Sequence, residues 1–147
     1  MPLTGNYAPS SSAWAREQAE TYEATGGAEK GDLNGLPVIV LTSVGAKSGD
    51  LRKNALMRVE YAGSYAVVAS KGGADVNPTW YHNLVANPHV ELQDGPVKRD
   101  YIARETSGEE REAWWTQSVK AFPQYQTYAD GTERLIPVFV LTPLPVA

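Results

Sequence analysis

Apolar positions change their period along this chain, and each change marks an element. Trp14, Ala15, Ala19 and Tyr22 recur at helical spacing after Ser12 and before Gly26-Gly27, which predicts a capped amphipathic helix from residue 12 to about 25. Residues 36–43, LPVIVLTS, form a nearly unbroken apolar run rich in β-branched residues, the pattern of a strand buried on both faces. In residues 54–62, Met57, Val59 and Tyr61 alternate with Arg58 and Glu60. With residues 65–70 and a turn at Gly63-Ser64, this predicts a half-buried hairpin. Asn77-Pro78 opens a second helix in which Trp80 aligns with Leu84 and Tyr81 with Val85, and Asn87-Pro88 ends it. Residues 89–94 and 96–105 predict another hairpin about Asp94-Gly95. Ser107-Gly108-Glu109-Glu110 reads as a capping box for a third helix carrying Trp114, Trp115 and Val119 and ending near Phe122-Pro123. Residues 135–143 read as a last buried strand, with Pro137 at an edge or bulge.

The predicted order is helix, three strands, helix, two strands, helix, strand. This is a mainly β, α+β chain of about six antiparallel strands and three helices. Closing the strands into a small barrel removes exposed edges, and a flat sheet covered on one face is the alternative. Residues 1–11, polar and broken by proline and glycine, are expected to be a flexible arm with little chemistry, and residues 12–147 a single domain. A length of 147 residues with 42% apolar content suits one core.

Composition narrows the chemistry. The absence of cysteine excludes disulfides, thiolate metal sites and a cysteine nucleophile. No apolar run approaches the roughly 20 residues that span a bilayer, and the first residues lack a signal-peptide pattern, so a cytoplasmic protein is expected. His82 and His89 show no metal-ligand spacing, and no serine has a legible histidine–carboxylate relay.

Charge, by contrast, is concentrated. Residues 44–73 carry five cations (Lys47, Arg52, Lys53, Arg58 and Lys71) against Asp50 and Glu60, within a chain of net charge −4. A basic island in an acidic protein, next to Gly45, Gly49, Gly72 and Gly73, points to a local anion site and away from a nucleic-acid surface. Neither GAKSGDLR nor SKGG matches a Walker or dinucleotide glycine loop. Residues suited to binding, without an activated nucleophile, fit a protein whose chemistry resides in an organic cofactor.

At VLTSVGAKSG, LRKNALMRVE, YAVVASKGGADVNPTWYHNLVANP and IPVFVLTP the chain resembles the deazaflavin-dependent nitroreductase family of coenzyme F-420-dependent quinone and nitro reductases, over roughly residues 36–143. The resemblance implies a split β-barrel related to flavin-binding oxidases, with the reduced coenzyme as hydride donor. It assigns Lys47, Ser48, Arg52 and Lys53 to the loop that meets the coenzyme's phosphate and acidic tail, and Lys71, Gly72 and Gly73 to a second binding loop. Asn54, Ala55, Leu56 and Met57 match the strand beside the deazaflavin, and Trp80 and Asn83 the helix that closes on it. Ser70, Tyr125 and Tyr128 fall where relatives place groups that contact substrate or donate protons, Ser70 also lying beside the coenzyme. Phe122 stands where nitroimidazole-reducing members carry a tyrosine, which weakens the case for prodrug activation and leaves quinone reduction intact.

The resemblance also implies quinone, nitroaromatic or activated-alkene acceptors. Peripheral membrane contact and a monomer or homodimer are left as alternatives. A flavin mononucleotide oxidoreductase of the same fold is the rival enzyme, and a non-catalytic deazaflavin carrier the rival of another class.

Overall fold

The structure is a computed structural model that describes residues 3–33 and 35–145; residues 1, 2, 34, 146 and 147 of the expected arm and domain lie outside them. Helix α1 spans Ala13–Thr25, with the Ser12 hydroxyl accepting from the Ala15 amide and Gly26 ending it at φ 61°. Strands β1 (Asp32–Leu33), β2 (Leu36–Val44), β3 (Leu51–Met57), β4 (Glu60–Tyr61) and β5 (Ser64–Val68) follow. One 3₁₀ turn at Lys71–Gly73 then leads to α2 (Thr79–Ala86), β6 (His89–Asp94), β7 (Val97–Glu105), α3 (Gly108–Ala121), α4 (Gln124–Asp130) and β8 (Val138–Pro143).

The strands run in the order β1-β2-β6-β7-β8-β5-β4, β3 pairing with the free side of β2, and every ladder is antiparallel. Alternation along β2 explains its continuous apolar sequence. Ile39 and Leu41 join a core with Trp80 and Leu84 of α2, while Val38 and Val40 join a second core with Ala19 and Tyr22 of α1. A strand buried on both faces has no polar side to show. Helix α2 covers one face and α1, α3 and α4 pack on the other, so this is the split-barrel architecture expected.

Three local expectations are corrected. The hairpin expected from residues 54–62 and 65–70 shrinks to β4 and β5, because the chain breaks at Arg58-Val59 and β3 pairs along its whole length with β2, from Val38↔Met57 to Val44↔Leu51. The capping box is not formed. Glu110 instead accepts from both terminal nitrogens of Arg104, at 2.6 and 2.8 Å, and Ser107 makes no side-chain cap. A fourth helix, α4, occupies the segment read as lying beyond a helix end. Among the described residues, eight strands and four α-helices therefore stand where about six and three were expected.

Candidate functional site

Pairing β3 with β2 makes residues 45–50 a tight loop at their junction. The Gly45 amide donates to Asp50 O, the Gly49 amide to Gly45 O and the Asp50 amide to Ser48 Oγ. A Cβ on Gly45 would lie 2.7 Å from Ser48 Oγ, so a larger residue there would push the Ser48 hydroxyl off the Asp50 amide. The Ala46 amide donates to Asn83 Oδ1 of α2 at 2.9 Å, while Asn83 Nδ2 donates to Ser43 Oγ at 3.4 Å. Three of the loop's amides thus serve its own architecture and a fourth ties it to α2, which shifts the attraction of an anion toward side chains.

Parity along β3 sorts those side chains. Leu56 packs on the α2 core and Met57 sits in the opposite core with α1, which places Arg52 and Asn54 on the α2 side and Lys53 on the α1 side. Lys53 Nζ donates to Glu23 Oε2 of α1 at 2.7 Å and to Thr42 Oγ1 at 3.2 Å. Arg58 is held by Asp94 at 2.9 Å. Among the described residues no carboxylate pairs with Lys47, Arg52 or Lys71, so these three keep the anion-attracting charge of the basic island.

Arg52, Lys53 and Asn54 from β3, Lys71 from the second loop, and Trp80 and Asn83 from α2 line one cavity of about 300 Å³. Lys71, which lines this cavity, sits at φ 47°, a conformation costing a side-chain-bearing residue about 1 kcal/mol or more. Trp80 is 5% exposed and packs on Phe139, ring centroids 6.3 Å apart. Pro78 and Thr79, at the start of α2, complete one wall.

The cavity does not gather every predicted residue. Lys47 and Ser48 stay in the first loop and, with Ala55, Leu56 and Met57, lie outside the lining. Gly72 and Gly73 form the second loop's turn. Gly73, at φ 85°, lets that turn rest on α4, since a Cβ there would lie 3.3 Å from Tyr128 Cα. Ser70 is 7% exposed at the entrance to the turn. Tyr125 is 5% exposed, with Phe122 at 4.9 Å, Trp115 at 6.4 Å and Tyr128 at 6.5 Å between ring centroids. Burial, with a smaller contribution from Tyr128, pushes its phenol well above the ordinary tyrosine value. Tyr128 donates to Gln124 Oε1 at 3.0 Å.

Two contributors went unread in the sequence. Residues 6–8 of the arm pair with Leu51, the Leu51 amide donating to Asn6 O at 2.7 Å and the Ala8 amide to Leu51 O at 2.9 Å, which brings Ser10 and Ser11 to the cavity wall. Arg134 holds the second loop at three points, and it carried no periodicity or motif that would mark it.

A split barrel with an unpaired-cation cleft between two strand ends and an aromatic helix defines a class, the cofactor-binding oxidoreductases of this fold. Comparison with known proteins makes the class specific. The family described as F420H(2)-dependent quinone reductase matches residues 14–143. An F420H(2)-dependent quinone reductase of Mycobacterium tuberculosis (strain H37Rv) is 36% identical over 109 residues, covering 72% of this chain and 73% of its own. A solved structure described as an F420-H2 dependent reductase (FDR-A) is 53% identical with TM-score 0.69, covering 71% of this chain and 93% of that one. Another, described as a domain-swapped dimer, is 48% identical with TM-score 0.71, covering 87% and 96%. The chain belongs to the F420H(2)-dependent quinone reductase family. It is an oxidoreductase whose cofactor is coenzyme F-420, and the flavin mononucleotide alternative falls away.

Proposed function

We propose that the cavity between β3, the second loop and α2 binds reduced coenzyme F-420 and that this chain catalyses hydride transfer from it to a quinone. The observation that carries the reading is that Arg52 from β3 and Lys71 from the second loop line one cavity without a carboxylate partner among the described residues. A phosphodiester and a glutamate tail are the anionic groups such cations suit, arginine by its planar fork and lysine as a point charge. When bound, the coenzyme supplies a hydride, and the residues around it supply everything else.

Arg52 and Lys71 fix the anionic end, with Lys47 adding field from the first loop. Asn54 and Trp80 border the cavity between them, Trp80 offering an apolar wall with a polar edge. Asn83 acts by holding the first loop at Ala46 and the end of β2 at Ser43. Ser70 and Tyr125 are the candidates for supplying a hydrogen bond to the reduced acceptor, with Tyr128 behind Gly73. A phenol is protonated at neutral pH and burial raises that of Tyr125 further, so it serves as a hydrogen-bond donor and not as a base.

The solved relative described as a domain-swapped dimer supports a homodimer, which light scattering of the purified chain tests. No helix of the described residues is long and apolar enough to cross a membrane. Trp14, 62% exposed on α1, is the side chain that peripheral contact would use.

Anaerobic mixing of the protein, reduced coenzyme F-420 and menadione tests the proposal. Recovery of oxidised-deazaflavin absorbance at a rate proportional to protein concentration is expected. Coenzyme binding without recovery would point to a carrier or to nitroaromatic acceptors, and absence of binding would overturn the assignment of the cavity.

A further inference from the structure

Arg134 lies outside the cavity lining, in the segment between α4 and β8. Its guanidinium donates in three directions, from Nε to Ala74 O, from Nη1 to Asn77 Oδ1 and from Nη2 to Ser70 O, each at 2.8 Å. These acceptors span the second loop from its first residue to the one before Pro78. The loop has few internal bonds, Gly73 N to Ser70 O and Ala74 N to Lys71 O, and it contains two residues at positive φ, Lys71 and Gly73. With Lys71 held in a costly conformation, the segment keeps its shape only when something outside it fixes the ends. Thr132 reinforces the grip, its hydroxyl donating to Asp75 Oδ1 at 3.3 Å and accepting from the Arg134 amide at 3.4 Å.

The consequence extends past the loop. Asn77 precedes α2 and is of a type that caps helices, yet its side-chain oxygen accepts from Arg134, and no side chain caps that helix. Arg134 therefore anchors the chain entering α2, the helix that carries Trp80 to the cavity and uses Asn83 to hold the first loop at Ala46. One guanidinium thus sits at the head of a continuous path, through Asn77, α2 and Asn83, to both basic loops.

We infer that Arg134 is a positioning residue that sets the two basic loops in register for an anionic ligand without touching it. Each of its three nitrogens donates to a protein acceptor, so the guanidinium is occupied in holding the loop. Lysine cannot replace it, because a single ammonium cannot reach three divergent acceptors that a rigid fork reaches at once. The inference rests on the assignment of the cavity to the coenzyme, and the test separates the two.

Arg134→Met, Arg134→Lys and Arg134→Ala are compared with the unaltered chain in assays with and without coenzyme. In the first, quenching of oxidised coenzyme F-420 fluorescence gives the Kd. Arg134→Met is expected to raise it at least tenfold and Arg134→Lys to within threefold of the same value, with methylguanidinium restoring much of the affinity of Arg134→Ala. Under turnover, the KM for reduced coenzyme should rise in step while the KM for menadione moves less than twofold. In the second assay, without coenzyme, endoproteinase Lys-C should cut after Lys71 at least fivefold faster in Arg134→Met. Should Arg134→Met not fold, Asn77→Ala, which removes one of the three arms, should still raise Kd two- to fivefold and speed cleavage after Lys71. Unaltered Kd and unaltered cleavage in the folded variant would overturn the inference. If the unaltered chain fails to bind coenzyme, the cavity assignment falls, and the protease assay alone decides whether Arg134 holds the loop.

Discussion

Lys53 Nζ lies 2.7 Å from Glu23 Oε2, joining the strand that leaves the first basic loop to the helix that covers the opposite core. The two side chains are 12% and 18% exposed, and Lys98 reaches the same carboxylate oxygen at 3.3 Å. Thr42 Oγ1 takes a second bond from Lys53, so the ammonium is held before any ligand arrives. This divides adjacent cations of one strand into different trades, Arg52 for the ligand and Lys53 for the fold. Lys53→Met should therefore destabilise the protein by roughly 2–3 kcal/mol, because Glu23 is left with only the exposed Lys98. Its Kd for coenzyme should change less than threefold. Urea unfolding and a coenzyme titration of the same preparation check both halves.

Glycine demands differ between the two loops. At Gly49, φ 75°, an added Cβ meets nothing within 4 Å, whereas at Gly73, φ 85°, it would meet Tyr128 backbone at 3.3 Å. Gly49→Ala should cost about 1 kcal/mol for conformation alone, and Gly73→Ala about 2 kcal/mol because α4 must also move off the turn. Gly73→Ala should also weaken coenzyme binding more than Gly49→Ala does. Denaturant midpoints and the Kd of each variant test the order.

Alkali should act on the arm. Tyr7 OH donates to Glu20 Oε2 at 2.9 Å, and burial together with that bond raises its phenol from 10 to about 12. A raised folded value means that this contribution to stability is complete below pH about 10 and is lost as pH rises through about 12. The same sign holds for the buried Tyr125 phenol. Stability measured from pH 9 to 12 should fall, and Tyr7→Phe should flatten that slope while leaving stability at pH 7 within about 0.5–1 kcal/mol of the parent. An unaltered slope would show that Tyr7 ionises as freely in the folded chain as in the unfolded one.

Much of this was legible from periodicity and turn chemistry. The β2 run, the α2 stripe of Trp80 and Leu84, and the β6–β7 hairpin all follow from local pattern, since their partners lie close in sequence or on both faces at once. What escaped was the choice among partners. The Gly63-Ser64 turn was plain, but nothing local says that β3 pairs with β2 and that Arg58 N donates to Pro37 O. Asn77 and Glu110 have the right identities for caps, and distant or cross-element arginines took them instead. The basic island was visible as charge. That Lys53 and Arg58 are neutralised by Glu23 and Asp94, some 30 residues away or more, leaving Arg52 and Lys71 for the cavity, required the fold.

The central claim is that Arg52 and Lys71 together make the anionic end of the coenzyme site. The most direct measurement is a titration of oxidised coenzyme F-420 into the parent, Arg52→Ala, Lys71→Ala and the double variant, with thermal unfolding confirming that each is folded. Each single variant should weaken binding by about ten- to a hundredfold, as loss of one charge-assisted contact of roughly 1.5–3 kcal/mol predicts. The double variant should weaken it at least fiftyfold, and raised salt should reduce the parent's affinity far more than the double variant's. Affinity within twofold of the parent in the folded double variant would contradict the account and place the coenzyme elsewhere.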